Sequence, residues 1–226
     1  MGAERVGTRP SAPHTGRLGD PYRGTSRGTG GVRAPVASEE DIMALQTAAS
    51  LENLAAGTYR AFARLPFVAN GNRTLAEFVT RTARHHEEHA KAFNEAVTRA
   101  GGREQSGTDP KYAAVVREAL PTLRTPGDMV GLAISLEDVA AQTYTKNIGQ
   151  VSSEPLRRLF GSVAPVEAQH RATLLVVRAL LSAGDERLIA RPADAGKLPA
   201  AVGSAGLPDA FQSTADASPV SEGAIR

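Results

Sequence analysis

The chain is 226 residues long, 41% hydrophobic and 22% charged, which is enough for one soluble domain of ordinary size with tails. The formal net charge is only +2, and six arginines fall between Arg5 and Arg33, so no basic face interleaved with aromatics is left for a nucleic acid. No run of about 18 apolar residues spans a membrane, and the absence of Cys removes disulfides and thiolate ligands while fitting either redox compartment.

Residues 1–37 are Gly, Arg, Pro, Ser and Thr with few aliphatic side chains. Such a segment buries too little apolar surface to offset its ordering entropy, and it reads as a disordered tail. It also lacks the apolar stretch of about 7–15 residues that a secretory signal requires, so the expected compartment is the cytoplasm.

Ser38-Glu39-Glu40-Asp41 predicts the start of a first helix, with Ser38 as N-cap and acids at the positive end of the helix dipole. The inward stripe is Ile42, Leu45, Ala48, Ala49, Glu52, Ala55, Ala56, Tyr59 and Phe62, and Pro66 with Asn70-Gly71 ends it. A second helix follows Asn72 with the stripe Leu75, Phe78, Val79, Thr82, His86, His89, Phe93, Ala96 and Val97, closed by Gly101-Gly102. His85 is expected to be exposed beside this stripe.

The next connection runs for about two dozen residues and holds one short helix near Tyr112–Leu120. Antiparallel neighbours need only about 2–8 residues between them, so the longer link predicts a crossover to the other end of a bundle. Thr125-Pro126 opens a third helix with the stripe Val130, Ala133, Glu137, Ala140, Ala141, Tyr144 and Ile148. A fourth carries Leu156, Leu159, Phe160, Val163, Glu167, His170, Leu174, Val177 and Leu181 and ends at Gly184. The predicted organisation is therefore a tail over 1–37, an all-α four-helix bundle over 38–184, and an extended Pro/Ala/Gly-rich tail over 185–226. Leu198-Pro199, Leu207-Pro208 and Phe211 in that last segment are spaced for an extended strip along the bundle, with disorder as the alternative.

The first helix holds Ser50-Leu51-Glu52-Asn53-Leu54-Ala55-Ala56-Gly57-Thr58-Tyr59, and the third holds Ser135-Leu136-Glu137-Asp138-Val139-Ala140-Ala141-Gln142-Thr143-Tyr144. Seven of the ten positions are identical, so the chain places an acid on an apolar stripe twice. Glu167-x-x-His170 puts two ligand types on one face of the fourth helix, and His86 and His89 do the same on the second. A lone Glu or His on such a face is usually structural, but uncompensated buried carboxylates cost several kcal/mol each. Six inward groups call for a positive centre, and two metal ions held by carboxylates and imidazoles supply one. Oxygen and nitrogen donors without thiolate suit iron or manganese; zinc and copper also accept such donors.

With these motifs the chain resembles the ferritin-like superfamily, whose bundles carry Glu…Tyr on helices one and three and Glu-x-x-His on helices two and four. Glu52…Tyr59, Glu137…Tyr144 and Glu167-x-x-His170 match. More narrowly it is similar to the branch that includes desiccation-related proteins. His86 departs from the pattern, standing where Glu167 has its counterpart; Glu87 or Glu88 could serve there only through a local bulge.

The resemblance implies a dinuclear site with Glu52 and Glu137 as terminal ligands, Glu167 bridging, His89 and His170 on one metal each, and His86 as an extra nitrogen ligand. Tyr59 and Tyr144 are expected behind the ligands in a catalytic supporting role. The implied chemistry is ferroxidase-like oxidation by oxygen or peroxide, or iron handling, with homo-oligomerisation left open. A non-catalytic stress or desiccation bundle with a degenerate or single-metal site is the alternative. Many relatives in this branch are exported, so a differently started native chain is the alternative to a cytoplasmic one.

Overall fold

Three of the four long helices begin where a polar side chain takes up their free N–H groups. Ser38 Oγ accepts from the Asp41 N–H at 3.0 Å, and Asp41 Oδ2 accepts from the Ser38 N–H at 2.9 Å, a reciprocal box that starts α1 (Glu39–Phe62). Asn72 caps α3 (Arg73–Arg99) by accepting from the Leu75 N–H at 3.1 Å. Thr125 and Asp128 form a second box at the head of α5 (Pro126–Ile148), and α6 (Glu154–Ser182) completes the set. The computed structural model describes residues 37–189 together with Ala210 and Phe211. The expected N-terminal tail and most of the expected C-terminal one, including Leu198-Pro199 and Leu207-Pro208, lie outside the described residues.

The described residues hold helices and no strand, as the all-α expectation requires, and none of these helices is long and apolar enough to cross a membrane. Two short elements go beyond the sequence reading. Pro66 does not merely stop α1; it opens the single turn α2 (Pro66–Ala69), which buries Val68. A 3₁₀ turn over Glu186–Leu188 follows α6. The short helix of the crossover, α4, runs over Pro110–Ala119. Pro165 stands inside α6, which continues through it.

α1 packs mainly on α3, and α5 on α6. Two apolar cores fix the helix directions. One gathers Leu45, Ala48, Phe93, Val97, Tyr144 and Phe160; the other gathers Phe62, Phe78, Val79, Met129, Val130 and Leu174. Reading along each helix, α1 and α6 pass from the first core to the second, whereas α3 and α5 pass from the second to the first. The link from α3 to α5 must therefore travel the length of the bundle. Gly101 turns the chain out of α3 at φ 84°, a left-handed conformation that glycine adopts without strain. Asn53 of α1 then donates to the carbonyls of Gln105 (2.9 Å) and Gly107 (3.0 Å), and the Asp109 N–H donates to the Ser50 carbonyl at 3.1 Å. These bonds lash the crossover to α1.

The start of α1 is tied to the α5–α6 turn by one carboxylate. Asp41 is 1% exposed and accepts from the Ser152 N–H at 2.7 Å and from the Ser152 hydroxyl at 2.5 Å, besides its bond to Ser38. Asp41→Ala should lower unfolding stability by about 1.5–3 kcal/mol, the usual worth of a hydrogen bond to a charged group. Urea denaturation measures it, and an unchanged midpoint would mean that this clasp contributes nothing.

Candidate metal centre

Between the two apolar cores lies a single polar layer. Glu52 of α1, His86 and His89 of α3, Glu137 of α5, and Glu167 and His170 of α6 are each 0–1% exposed. The helical steps that bury Leu45, Ala48, Tyr59 and Phe62 on α1 carry Glu52 inward with them, and the duplicated segment does the same for Glu137.

His86 sits in the middle. Its Nδ1 lies 2.7 Å from Glu52 Oε2 and its Nε2 lies 3.3 Å from Glu137 Oε1, so one ring addresses the acids of both duplicated segments. His89 Nδ1 is 2.8 Å from Glu167 Oε1 and 3.6 Å from Glu52 Oε2. His170 Nδ1 is 3.3 Å from Glu167 Oε2 and 3.4 Å from Glu137 Oε2. Two sets of four ligand atoms result, each set within 4.8 Å: Glu52, His86, His89 and Glu167, and His86, Glu137, Glu167 and His170. Glu167 and His86 belong to both. α3 is continuous here, and Glu87 and Glu88 face solvent, so no bulge carries either of them inward.

Four atoms of this layer are buried without a hydrogen-bond partner: Glu52 Oε1, His89 Nδ1, Glu137 Oε2 and Glu167 Oε1. His89 Nδ1 and Glu167 Oε1 are close in distance yet not aligned as donor and acceptor. Buried polar atoms left in this state are costly. Lone pairs that converge without satisfying one another are what a cation would use. The donor set, three carboxylates and three imidazoles, fits iron or manganese.

The tyrosines close the layer from behind. Tyr59 is fully buried, and its hydroxyl donates to Glu137 Oε1, so the tyrosine of the first segment serves the acid of the second. The Tyr144 hydroxyl lies 3.5 Å from the Ala48 carbonyl. Burial, followed by the charge of Glu137 for Tyr59 and of Glu52 for Tyr144, pushes both phenols well above their ordinary range, so each remains a donor.

Three contacts escaped the sequence reading. His85, expected at the surface, is 5% exposed, and its Nδ1 lies 3.0 Å from His170 Nε2. The signal was present: Phe78, Thr82, His85 and His89 follow steps of four, three and four along the α3 face that meets α6. The Ala210 carbonyl accepts from His89 Nε2 at 2.6 Å, and the Phe211 ring packs edge-on against His89 at 5.3 Å. The apolar spacing of the C-terminal segment singled out Phe211, but nothing in the sequence pointed to a backbone carbonyl 121 residues from its partner.

Burial works against every charge in the layer, and the charges compensate one another. Against burial, His89 and then His86 hold Glu52 down at about 2, and His170 and His86 hold Glu137 well below its ordinary value. Glu52 and Glu167 raise His89 to about 10; the surrounding acids raise His86 well above its ordinary value and also raise His170. Without metal, the depressed Glu52 stabilises the fold above 4.5 and loses that contribution as the pH falls towards about 2. The raised His89 stabilises it below 6.5 and loses that contribution as the pH rises towards about 10. Metal-stripped protein should thus owe most to this layer between pH 4.5 and 6.5. Comparing melting curves of stripped wild type and His89→Gln across pH checks this. The difference should shrink on the alkaline side, and a difference that grows there contradicts it.

A family model described as a ferritin-like domain matches residues 40–182, nearly the whole of α1 through α6. A search of curated proteins finds no match. The matched span contains all four long helices and every residue of the polar layer, and the chain belongs to the ferritin-like domain family.

Proposed function

We propose that this protein is a ferritin-like metal protein holding two iron ions, or two manganese ions, in its polar layer and using them for redox chemistry with oxygen or peroxide. The observation that supports it most is the pair of overlapping four-residue ligand sets, each sealed from solvent and sharing Glu167 and His86. Glu52 and His89 would serve one ion, Glu137 and His170 the other. Two such ions would supply a two-electron step towards a small oxidant, of the ferroxidase kind.

The protein's own residues have definable tasks in that reading. Tyr59 holds the Glu137 carboxylate by a hydrogen bond and keeps it oriented, as outer partners of ligands commonly do. Both tyrosines retain their protons and can donate without changing the charge of the layer. A cavity of about 10 Å³ is walled by Leu51, Ala55 and Ala140 and touches Glu52, His86 and Glu137. That is room for about one water-sized molecule beside the acids.

A second reading, a non-catalytic stress or desiccation bundle, draws support from the raised His86, His89 and His170, whose protons can offset the three carboxylates without metal. Protein purified from iron-supplemented cells separates the two. About two metals per chain and repeated oxygen consumption on aerobic addition of Fe(II), abolished in Glu137→Ala, are expected. Less than one metal per chain, with no loss of thermal stability on chelation, would contradict the metal reading. At most one equivalent of oxygen consumed per site would leave a structural bundle.

A further inference from the structure

We propose that His85 is a positioning residue for the metal centre: it accepts the Nε2–H of His170 and so leaves His170 Nδ1 as the ligating atom. The proposal rests on the metal-centre reading above. Its ground is the direction of the two rings. His170 turns Nδ1 towards Glu137 and Glu167, 3.4 and 3.3 Å away, and Nε2 towards His85 Nδ1, 3.0 Å away. The ring centroids are 5.2 Å apart with planes 21° apart, so the two imidazoles meet nearly coplanar, edge to edge along that contact.

Coordination settles which nitrogen donates. An imidazole that binds a cation through Nδ1 carries its proton on Nε2, so His170 must donate and His85 must accept. His85 therefore stays neutral with its own proton on Nε2; an imidazolium there would set two N–H groups against each other. His89 shows the same plan with a different acceptor: Nδ1 faces Glu167 and Glu52, and Nε2 donates to the Ala210 carbonyl. Metal-ligating histidines generally tie their outer N–H to a carboxylate, carbonyl or water. At His170 a neutral imidazole does this without adding a charge to the layer.

His85→Phe keeps an aromatic ring and removes the acceptor, whereas His85→Asn offers Oδ1 near the position of Nδ1. Co(II) alone, titrated into metal-stripped protein and followed by its visible absorption, is the probe. Wild type should take up two ions. His85→Phe should weaken one of the two steps by about 10–100-fold and change its absorption, leaving the other step intact, and His85→Asn should recover most of the loss. Equal binding by wild type and His85→Phe overturns the role of His85, as does an equal loss in both variants. A wild type that binds no Co(II) overturns the metal-centre reading itself. Independently of any variant folding, nitrogen NMR of the histidine-labelled, Zn(II)-loaded protein should show a proton on His170 Nε2 and coupling across to His85 Nδ1. An unprotonated Nε2 on His170 sinks the proposal.

Discussion

Three carboxylates and three imidazoles share one layer buried from solvent, and the bundle is built around keeping their charges balanced. Removing such groups from water costs several kcal/mol per ion unless opposite charge and hydrogen bonds return it. Here the two kinds of charge hold each other in place: the histidines keep Glu52 and Glu137 ionised, and the acids keep His86, His89 and His170 protonated when no metal is bound. A metal ion bound here would therefore compete with protons for the same lone pairs. The two apolar cores above and below the layer insulate it, with Tyr59, Phe62, Phe93 and Phe160 fully buried.

The duplicated segments use matching residues for different ends. Glu52 and Glu137 occupy equivalent places in the layer, one in each ligand set. Their following residues diverge: Asn53 binds the crossover through Gln105 and Gly107, whereas Asp138 pairs with Arg171 of α6 at 2.9 Å. That pair is half-buried at the rim of the bundle. Tyr59 reaches across to Glu137, which couples the two helix pairs through the site itself. The asymmetry of the partner helices concentrates in His86, whose ring lies between the two acids and faces each with one nitrogen.

Much of this was legible in the sequence because helices convert spacing into direction. Glu52, Glu137, Glu167, His86, His89 and His170 fall on their apolar stripes at steps of three and four, and the caps Ser38, Asn72 and Thr125 mark where three of the long helices begin. The length of the α3–α5 link likewise required a crossover. His85 was harder, since a residue about 100° from the main stripe is exposed on a two-helix pair and buried where a third helix packs; α6 decided it. Pro66 reads equally as a stop and as the first residue of a new turn, and only the packing of Val68 distinguishes them. The Ala210 carbonyl is beyond any side-chain pattern, because every residue carries one.

Anomalous diffraction from crystals of the iron- or manganese-loaded protein, collected at the edge of the metal, tests the central claim most directly. The account predicts two peaks per chain inside the polar layer, one beside Glu52 and His89 and one beside Glu137 and His170, with Glu167 reaching both. An empty layer in metal-loaded protein, or metal bound only outside it, would contradict the account.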